Sequence, residues 1–124
     1  MGSSFSINDL SSYRLSFDFS NRVWNIVLKW DWFAKKTIGT QWVRSTDSIS
    51  ANIAEGFGRR TKTDKIHFYR YSQSSLAESK DWFNKAIHRN LIPDEDIEYI
   101  EETLRKLPIE LNQLIKFTNE KLKF

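Results

Sequence analysis

Apolar residues recur three and four positions apart along most of the chain, which is the spacing that places side chains on one face of an α-helix. This spacing predicts a first helix over residues 20–36, a second that ends near Gly58, and a third over residues 61–90. Pro93 and the acidic residues after it predict the start of a fourth helix, because both are favoured in the first helical turn. The hydrophobic pattern therefore predicts four amphipathic helices joined by short turns.

Three segments depart from the helical pattern. Residues 1–17 mix Ser, Asn and Asp with isolated aromatic residues, and we expect an N-terminal arm there. Residues 37–40, around Gly39, predict a turn, and Pro108 predicts a kink or short break inside the fourth helix. The remaining chain, residues 18–124, predicts one all-α domain, an antiparallel up-down-up-down four-helix bundle.

Charge is modest in total but unevenly distributed. The net charge of the 124 residues is +3. Residues 55–92 carry eight Lys or Arg against four acids, whereas residues 93–124 carry five against eight. This asymmetry is typical of a nucleic-acid surface, and it is equally typical of two oppositely charged helices that attract each other.

The junction between the second and third helices concentrates positive charge in "EGFGRRTK". Its cations precede the positive end of a helix dipole, which favours an anion nearby. That anion is either an external phosphate or the carboxylate of Glu55. Under the phosphate interpretation, the predicted nucleic-acid contacts are Arg59, Arg60, Lys62 and Arg70, with weaker candidates at Lys85 and Arg89.

Aromatic residues are numerous, with five Trp, four Tyr and nine Phe. On the third helix, a second apolar stripe lies beside the one expected to face the core, and it includes Phe68, Tyr71 and Trp82. Together with Trp24, Trp32 and Trp42, this stripe exceeds what one bundle easily buries. The pattern predicts self-association or a protein partner, with stacking of unpaired nucleic-acid bases as the alternative.

The sequence lacks the residue patterns of metal sites, catalytic sites and phosphate loops. There is no cysteine, and His67 and His88 are on the order of 30 Å apart along one helix, too far to share a metal ion. No spacing suggests a catalytic triad, and "EGFGRR" lacks the strand and the Gly-Lys-Ser/Thr element of a phosphate loop. We therefore expect no enzyme activity, no metal and no cofactor. With no run of ~20 apolar residues and no signal-peptide pattern, we expect no membrane association and a cytoplasmic location.

A longer motif adds a family resemblance. The stretch "DSISANIAEGFGRRTKTDKIHFYRYSQSSLAES" resembles the S23-type four-helix-bundle proteins encoded in intervening sequences of bacterial large-subunit ribosomal RNA genes. These are related to the accessory variability determinants of diversity-generating retroelements. The matching family-motif residues include Asn52, Glu55, Gly56 and Gly58. The sequence departs from the motif at Ser50, where many relatives have proline, and at Ser74, where many have glycine.

The resemblance implies a ring-like homopentamer. For the retroelement members it also implies binding to a reverse transcriptase and to RNA or DNA through basic surfaces. The resulting hypothesis is a non-enzymatic homo-oligomer that scaffolds a nucleic acid or ribonucleoprotein. The alternative is a protein-interaction module with an aromatic docking face and no nucleic-acid binding.

Overall fold

The computed structural model describes residues 5–123, and within them every regular element is helical. A short 3₁₀ turn spans Ile7–Asp9, and a helical turn at Trp32–Ala34 continues through a π-helical segment at Lys35–Gly39. The four long helices are α1 (Ser11–Leu28), α2 (Thr40–Phe57), α3 (Lys62–His88) and α4 (Asp94–Lys121). The predicted all-α four-helix fold is confirmed.

Each long helix packs against two others, so the four form a closed array around one core. Hydrogen bonds between α2 and α3 link Thr46 to Ser79 at 2.7 Å, and the Ser72 hydroxyl to the Ile49 carbonyl at 2.8 Å. Residue numbers rise along α2 as they fall along α3, so these two helices run antiparallel. Helices α1 and α4 are also antiparallel, since Ser11 hydrogen-bonds to Glu110 and Arg22 to Asp96. Helices α3 and α4 are antiparallel as well, since Lys62 contacts Asn119 and Gln73 contacts Asn112.

The seam between α2 and α3 is built from small polar residues. Thr46, Ser72 and Ser79 are fully buried, and the hydrogen bonds above satisfy their hydroxyl groups. Small side chains allow the helix axes to approach, while satisfied hydroxyls avoid the cost of an unpaired polar group in the core. This seam fixes how the two helices that carry the family motif face each other.

Helix α1 begins at Ser11, so the expectation that residues 1–17 form an arm is wrong for its last seven positions. The buried face of this first part of α1 contains Ser12 and Ser16, which the hydrophobic pattern does not register as core. The Ser16 hydroxyl donates to the Tyr13 carbonyl at 3.0 Å, so the helix satisfies its own buried polar group. Residues 1–4 lie outside the described part of the chain.

The first connection also differs from the prediction. Helix α1 ends at Leu28, and the predicted turn at residues 37–40 is helical instead. Asp31 begins the new helical segment by accepting a hydrogen bond from the Ala34 amide at 2.9 Å. Gly39 is buried there, and a β-carbon on it would lie 2.8 Å from Cγ1 of Val27. Glycine is thus required for close packing against α1 rather than for a turn.

The remaining helix ends follow the sequence more closely. The Thr61 hydroxyl accepts a hydrogen bond from the Asp64 amide at 3.1 Å and caps α3, while Pro93 is the N-cap of α4. Asn90, with φ of 58°, adopts the left-handed conformation after α3. Gly58 does not, since its φ is −80°. Helix α4 continues through Pro108 without the predicted break.

Candidate functional site

The family motif lies where α2 ends against the start of α3. Gly56 is buried there, and a β-carbon on it would lie 2.7 Å from Cε1 of Tyr69 and 2.9 Å from the Lys65 carbonyl oxygen. The glycine therefore allows the Tyr69 ring to pass directly over the backbone of α2. Burial raises the pKa of the Tyr69 hydroxyl to about 12, because the phenolate would lose its hydration.

Arg59 is held by two neighbours rather than projecting freely. Its Nη2 lies 2.9 Å from Oε2 of Glu55, one turn earlier, and its Cζ lies 4.5 Å from the centre of the Phe68 ring. Of the two anions considered for this cation, the structure supplies the intramolecular one, Glu55. The ion pair is about half exposed on both sides, so a phosphate could still replace the carboxylate as its partner.

Two lysines tie helix ends together at the same end of the bundle. The Lys62 ammonium donates to the Asn119 carbonyl near the end of α4, at 3.1 Å. The Lys65 ammonium donates to the Phe57 carbonyl at the end of α2, at 2.7 Å, and lies 5.5 Å from the Phe57 ring centre. Burial lowers the pKa of Lys65. The sequence predictions did not include Lys65, although a cation at a helix C-terminus favours such capping.

Arg60 and Arg70 are the more available cations of this region. Both side chains are exposed, and within the described part of the chain Arg70 makes only one side-chain hydrogen bond, a long one of 3.4 Å from Nη1 to Oε1 of Gln73. Within residues 5–123, Arg60 takes part in no ion pair or side-chain hydrogen bond. These two guanidinium groups can therefore meet a phosphate without first breaking a strong internal contact.

The six predicted cations do not share one surface. On α3, Phe68 (the residue under Arg59) and Arg70 are about 200° apart around the axis, so they point toward opposite flanks. Lys85 and Arg89 lie further along the helix, with Arg89 about 28 Å from Arg70. The Lys85 ammonium is also engaged by Asp81 at 2.6 Å. A phosphate-binding surface at the α2–α3 junction would therefore be smaller than the sequence predicts.

The predicted aromatic residues do share one face of α3. The rings of Phe68 and Tyr71 meet edge to face with centres 5.6 Å apart, and Tyr71 is 47% exposed. The Tyr71 hydroxyl also lies 2.8 Å from Nε2 of His67. Trp82, about three turns further along, is half-buried, donates from Nε1 to Oε2 of Glu78 at 3.0 Å, and has the Lys85 ammonium 4.6 Å from its ring centre.

A second aromatic surface lies at the opposite end of the bundle. Trp24 and Trp32 are 51% and 70% exposed, whereas Trp42 is fully buried and stacks on Trp30 with ring centres 5.8 Å apart. Of the three tryptophans that were expected to exceed what one bundle easily buries, Trp42 is therefore accommodated in the core, whereas Trp24 and Trp32 are not. The four-residue spacing of Trp24 and Leu28 is the sequence signal for the α1 part of this surface, because it places both on one face, away from the core positions Val23 and Val27. Trp32 lies beyond the end of α1, in the helical turn Trp32–Ala34.

Two structural features bear on the wider functional class. Within residues 5–123, no helix combines the length and the apolar character that crossing a lipid bilayer requires. In the same part of the chain, no three His, Asp or Glu side chains converge in a way that would hold a metal ion.

Comparison with known proteins places the chain in a family. The family model described as "23S rRNA-intervening sequence protein" matches residues 8–113. The fold is similar to a crystal structure of a protein of unknown function from the S23 ribosomal protein family of Bacteroides thetaiotaomicron, with a TM-score of 0.74 and 24% identity. That match covers 85% of this chain and 95% of the other. No curated protein is significantly similar in sequence. The chain belongs to the 23S rRNA-intervening sequence protein family.

Proposed function

We propose that this protein is a non-enzymatic helical scaffold that self-associates through the outer face of α3 and holds RNA at the α2–α3 junction. The observation that carries the proposal is the aromatic face formed by Phe68, Tyr71 and Trp82. The cations Arg59 and Lys85 lie over two of its rings. Aromatic residues combined with arginine are enriched in protein interfaces, where large rings exclude water around a few charged groups.

The family motif lies beside this face. Glu55 contacts Arg59, which in turn covers Phe68, so the motif helix and the aromatic face form one continuous surface. Asn52, one turn before Glu55, is held by hydrogen bonds to the carbonyl and hydroxyl of Ser48 at 2.9 and 3.0 Å. The motif can therefore serve both the α2–α3 seam, through Gly56, and a subunit contact, through Glu55. The family resemblance makes a homopentamer the assembly to expect.

RNA is the nucleic acid that we propose as partner, bound through its backbone phosphates at the basic α2–α3 junction. Arg60 and Arg70 are the residues best placed to contact phosphate, since their guanidinium groups are exposed and weakly engaged. Arg59 and Lys62 contribute only if an RNA displaces the Glu55 carboxylate or the Asn119 carbonyl. A reverse transcriptase or another ribonucleoprotein component would bind to the assembled scaffold.

Self-association is tested by measuring the mass of the purified protein by light scattering. We expect an oligomer, and we expect Tyr71→Ala to reduce its mass because this side chain has little role in the core. Phe117→Ala is the matched control, since Phe117 is similarly exposed but lies on α4. A wild-type monomer of 14.7 kDa, or a Tyr71→Ala variant with unchanged mass, would contradict the proposed interface.

RNA binding is tested by fluorescence anisotropy with a labelled RNA hairpin at several salt concentrations. We expect the logarithm of the affinity to fall with the logarithm of salt by about 0.7 to 0.9 per phosphate contacted. The double variant Arg60→Ala/Arg70→Ala should bind more weakly and with a shallower salt slope. Lys29→Ala/Arg105→Ala removes the same charge elsewhere and should bind as the wild type does.

The alternative function, a protein-docking module without nucleic-acid binding, has a specific observation in its favour. Arg59, Lys62 and Lys65 are already used within the chain, by Glu55 and by backbone carbonyls. Under this alternative, Trp82→Ala weakens partner binding, salt has little effect, and the hairpin does not bind even at low salt.

A further inference from the structure

An apolar groove opens between the end of α1 and the start of α2, at the end of the bundle opposite to Arg60. Its volume is about 470 Å³. Its apolar walls come from both helices and from the segment that joins them: Trp24, Val27, Leu28, Trp32 and Val43. The exposed aromatic face on α3 takes no part in it, so the groove is a separate surface.

The groove is held in shape by packed elements. Its floor includes the buried Gly39, whose missing side chain lets the π-helical segment lie against Val27. Asp31 caps the turn that carries Trp32, and Nε1 of the neighbouring Trp30 donates to the Leu91 carbonyl at 2.8 Å. A preformed groove lowers the entropy cost of binding, because few side chains need to be ordered on association.

The rim of the groove is positively charged. Lys35, Lys36 and Arg44 line it, and among residues 5–123 no acidic residue does. Among the described residues, none of these three cations forms an ion pair. The Lys36 ammonium lies 4.7 Å from the centre of the Trp32 ring, at the border between the apolar wall and the charged rim.

We propose that this groove binds an amphipathic helix of another protein, with apolar side chains in the groove and carboxylates against the rim. A furrow between two antiparallel helices fits a third helix, whose residues at i, i+3, i+4 and i+7 form one apolar row. The unpaired cations of the rim supply the charge complementarity, and they favour acidic residues on both sides of that row.

Two other occupants fit the groove less well. A second copy of this chain offers Ile109 and Phe117 as the exposed apolar residues of α4. The positions i+3, i+4 and i+7 from Ile109 are Asn112, Gln113 and Lys116, so this face of α4 presents no continuous apolar row to the groove. An RNA base stacks on tryptophan, but inside the groove it would also lie against the aliphatic walls Val27, Leu28 and Val43, where its polar edges find no partner.

The test uses a designed 18-residue peptide with Leu at the four row positions and Glu beside them, and a matched peptide with Lys in place of every Glu. Binding is followed by the indole N–H signals of the five tryptophans in NMR spectra. We expect the acidic peptide to bind and to shift the Trp24 and Trp32 signals, while the buried Trp42 signal moves little. We expect the basic peptide not to bind.

Matched variants locate the site. Trp32→Ala and Lys36→Glu should each lower the affinity for the acidic peptide by about tenfold or more. This is the usual cost of losing an aromatic anchor or of reversing a charge on the rim. Phe33→Ala and Lys29→Glu are the controls, because Phe33 is as exposed as Trp32 and neither control residue lines the groove. The controls should stay within about twofold of the wild type. Since Trp32 is 70% exposed, its replacement should leave the helical circular dichroism spectrum unchanged.

Several results would overturn the proposal. These are equal binding of both peptides, no binding of either, or equal losses in Phe33→Ala and Trp32→Ala. A drop in oligomer mass caused by Trp32→Ala would assign the groove to a second copy of the chain. Displacement of a labelled single-stranded RNA by the acidic peptide would assign the groove to RNA, provided that the Trp32→Ala variant no longer binds that RNA.

Discussion

The two ends of the bundle carry similar residue types but differ in how their cations are used. At the α2–α3 junction, Arg59 contacts Glu55 and the Phe68 ring, and Lys65 caps α2 through the Phe57 carbonyl. At the α1–α2 end, Lys36 lies over Trp32 and takes part in no ion pair among the described residues. Arg59 and Lys65 therefore stabilise the fold at one end, whereas Lys36 and Trp32 remain available to a partner at the other.

The largest expected effect concerns the tight packing at the α2–α3 junction. Gly56→Ala should lower the free energy of unfolding by about 1–3 kcal/mol, because its β-carbon would overlap the Tyr69 ring and the Lys65 backbone. Gly58→Ala is the matched control, since the nearest atom to its β-carbon is 3.7 Å away and its φ is negative. It should leave stability unchanged or raise it by about 0.4–1 kcal/mol. Urea denaturation of both variants measures the difference, and equal effects would contradict the packing role of Gly56.

The next effect is the response of the same junction to alkaline pH. Burial raises the folded-state pKa of Tyr69 to about 12 from its ordinary value of 10.0, so folding favours the protonated phenol. Its contribution to stability is complete below pH 10 and is lost as pH rises from 10 toward 12. Tyr69→Phe should therefore lose less stability over this interval than the wild type, by roughly 2 kcal/mol. If the free energies of unfolding of both proteins fall equally between pH 10 and 12, folding does not raise the pKa of Tyr69.

A smaller effect compares one lysine from each end. Lys65→Ala removes a partly buried hydrogen bond to the end of α2 and should cost about 1 kcal/mol of stability. Lys36→Ala removes an exposed side chain and should change stability by less than about 0.5 kcal/mol. Thermal unfolding at low and high salt measures both. Equal costs would remove the distinction between a structural cation and an available one.

The helices were largely predictable because their core positions are apolar and regularly spaced. The start of α4 was also predictable, because Pro93 and the acidic residues after it are favoured in the first helical turn. The first part of α1 was not, because Ser12 and Ser16 occupy buried positions and satisfy no hydrophobic pattern. Core serines hydrogen-bonded to backbone carbonyls look like loop residues in a sequence.

The sites were predictable only in part, because a sequence gives the position of a charge but not its partners. The spacing of Phe68, Tyr71 and Trp82 correctly indicated one face of α3. The spacing of Arg59, Arg60, Lys62 and Arg70 did not reveal that Lys62 binds a carbonyl of α4, 57 positions away. The groove at Trp32 depends on where α1 ends, at Leu28, and on the segment after it, in which Asp31 caps a new helical turn and Trp30 donates to the Leu91 carbonyl.

The central proposal, an oligomeric scaffold that holds RNA, is tested most directly by sedimentation velocity of the protein with and without a labelled RNA hairpin. We predict that the protein alone sediments as an oligomer of its 14.7 kDa chain, and that the RNA signal moves to a faster-sedimenting species containing that oligomer. A protein that sediments as a monomer and leaves the RNA signal unchanged at low salt would contradict the proposal.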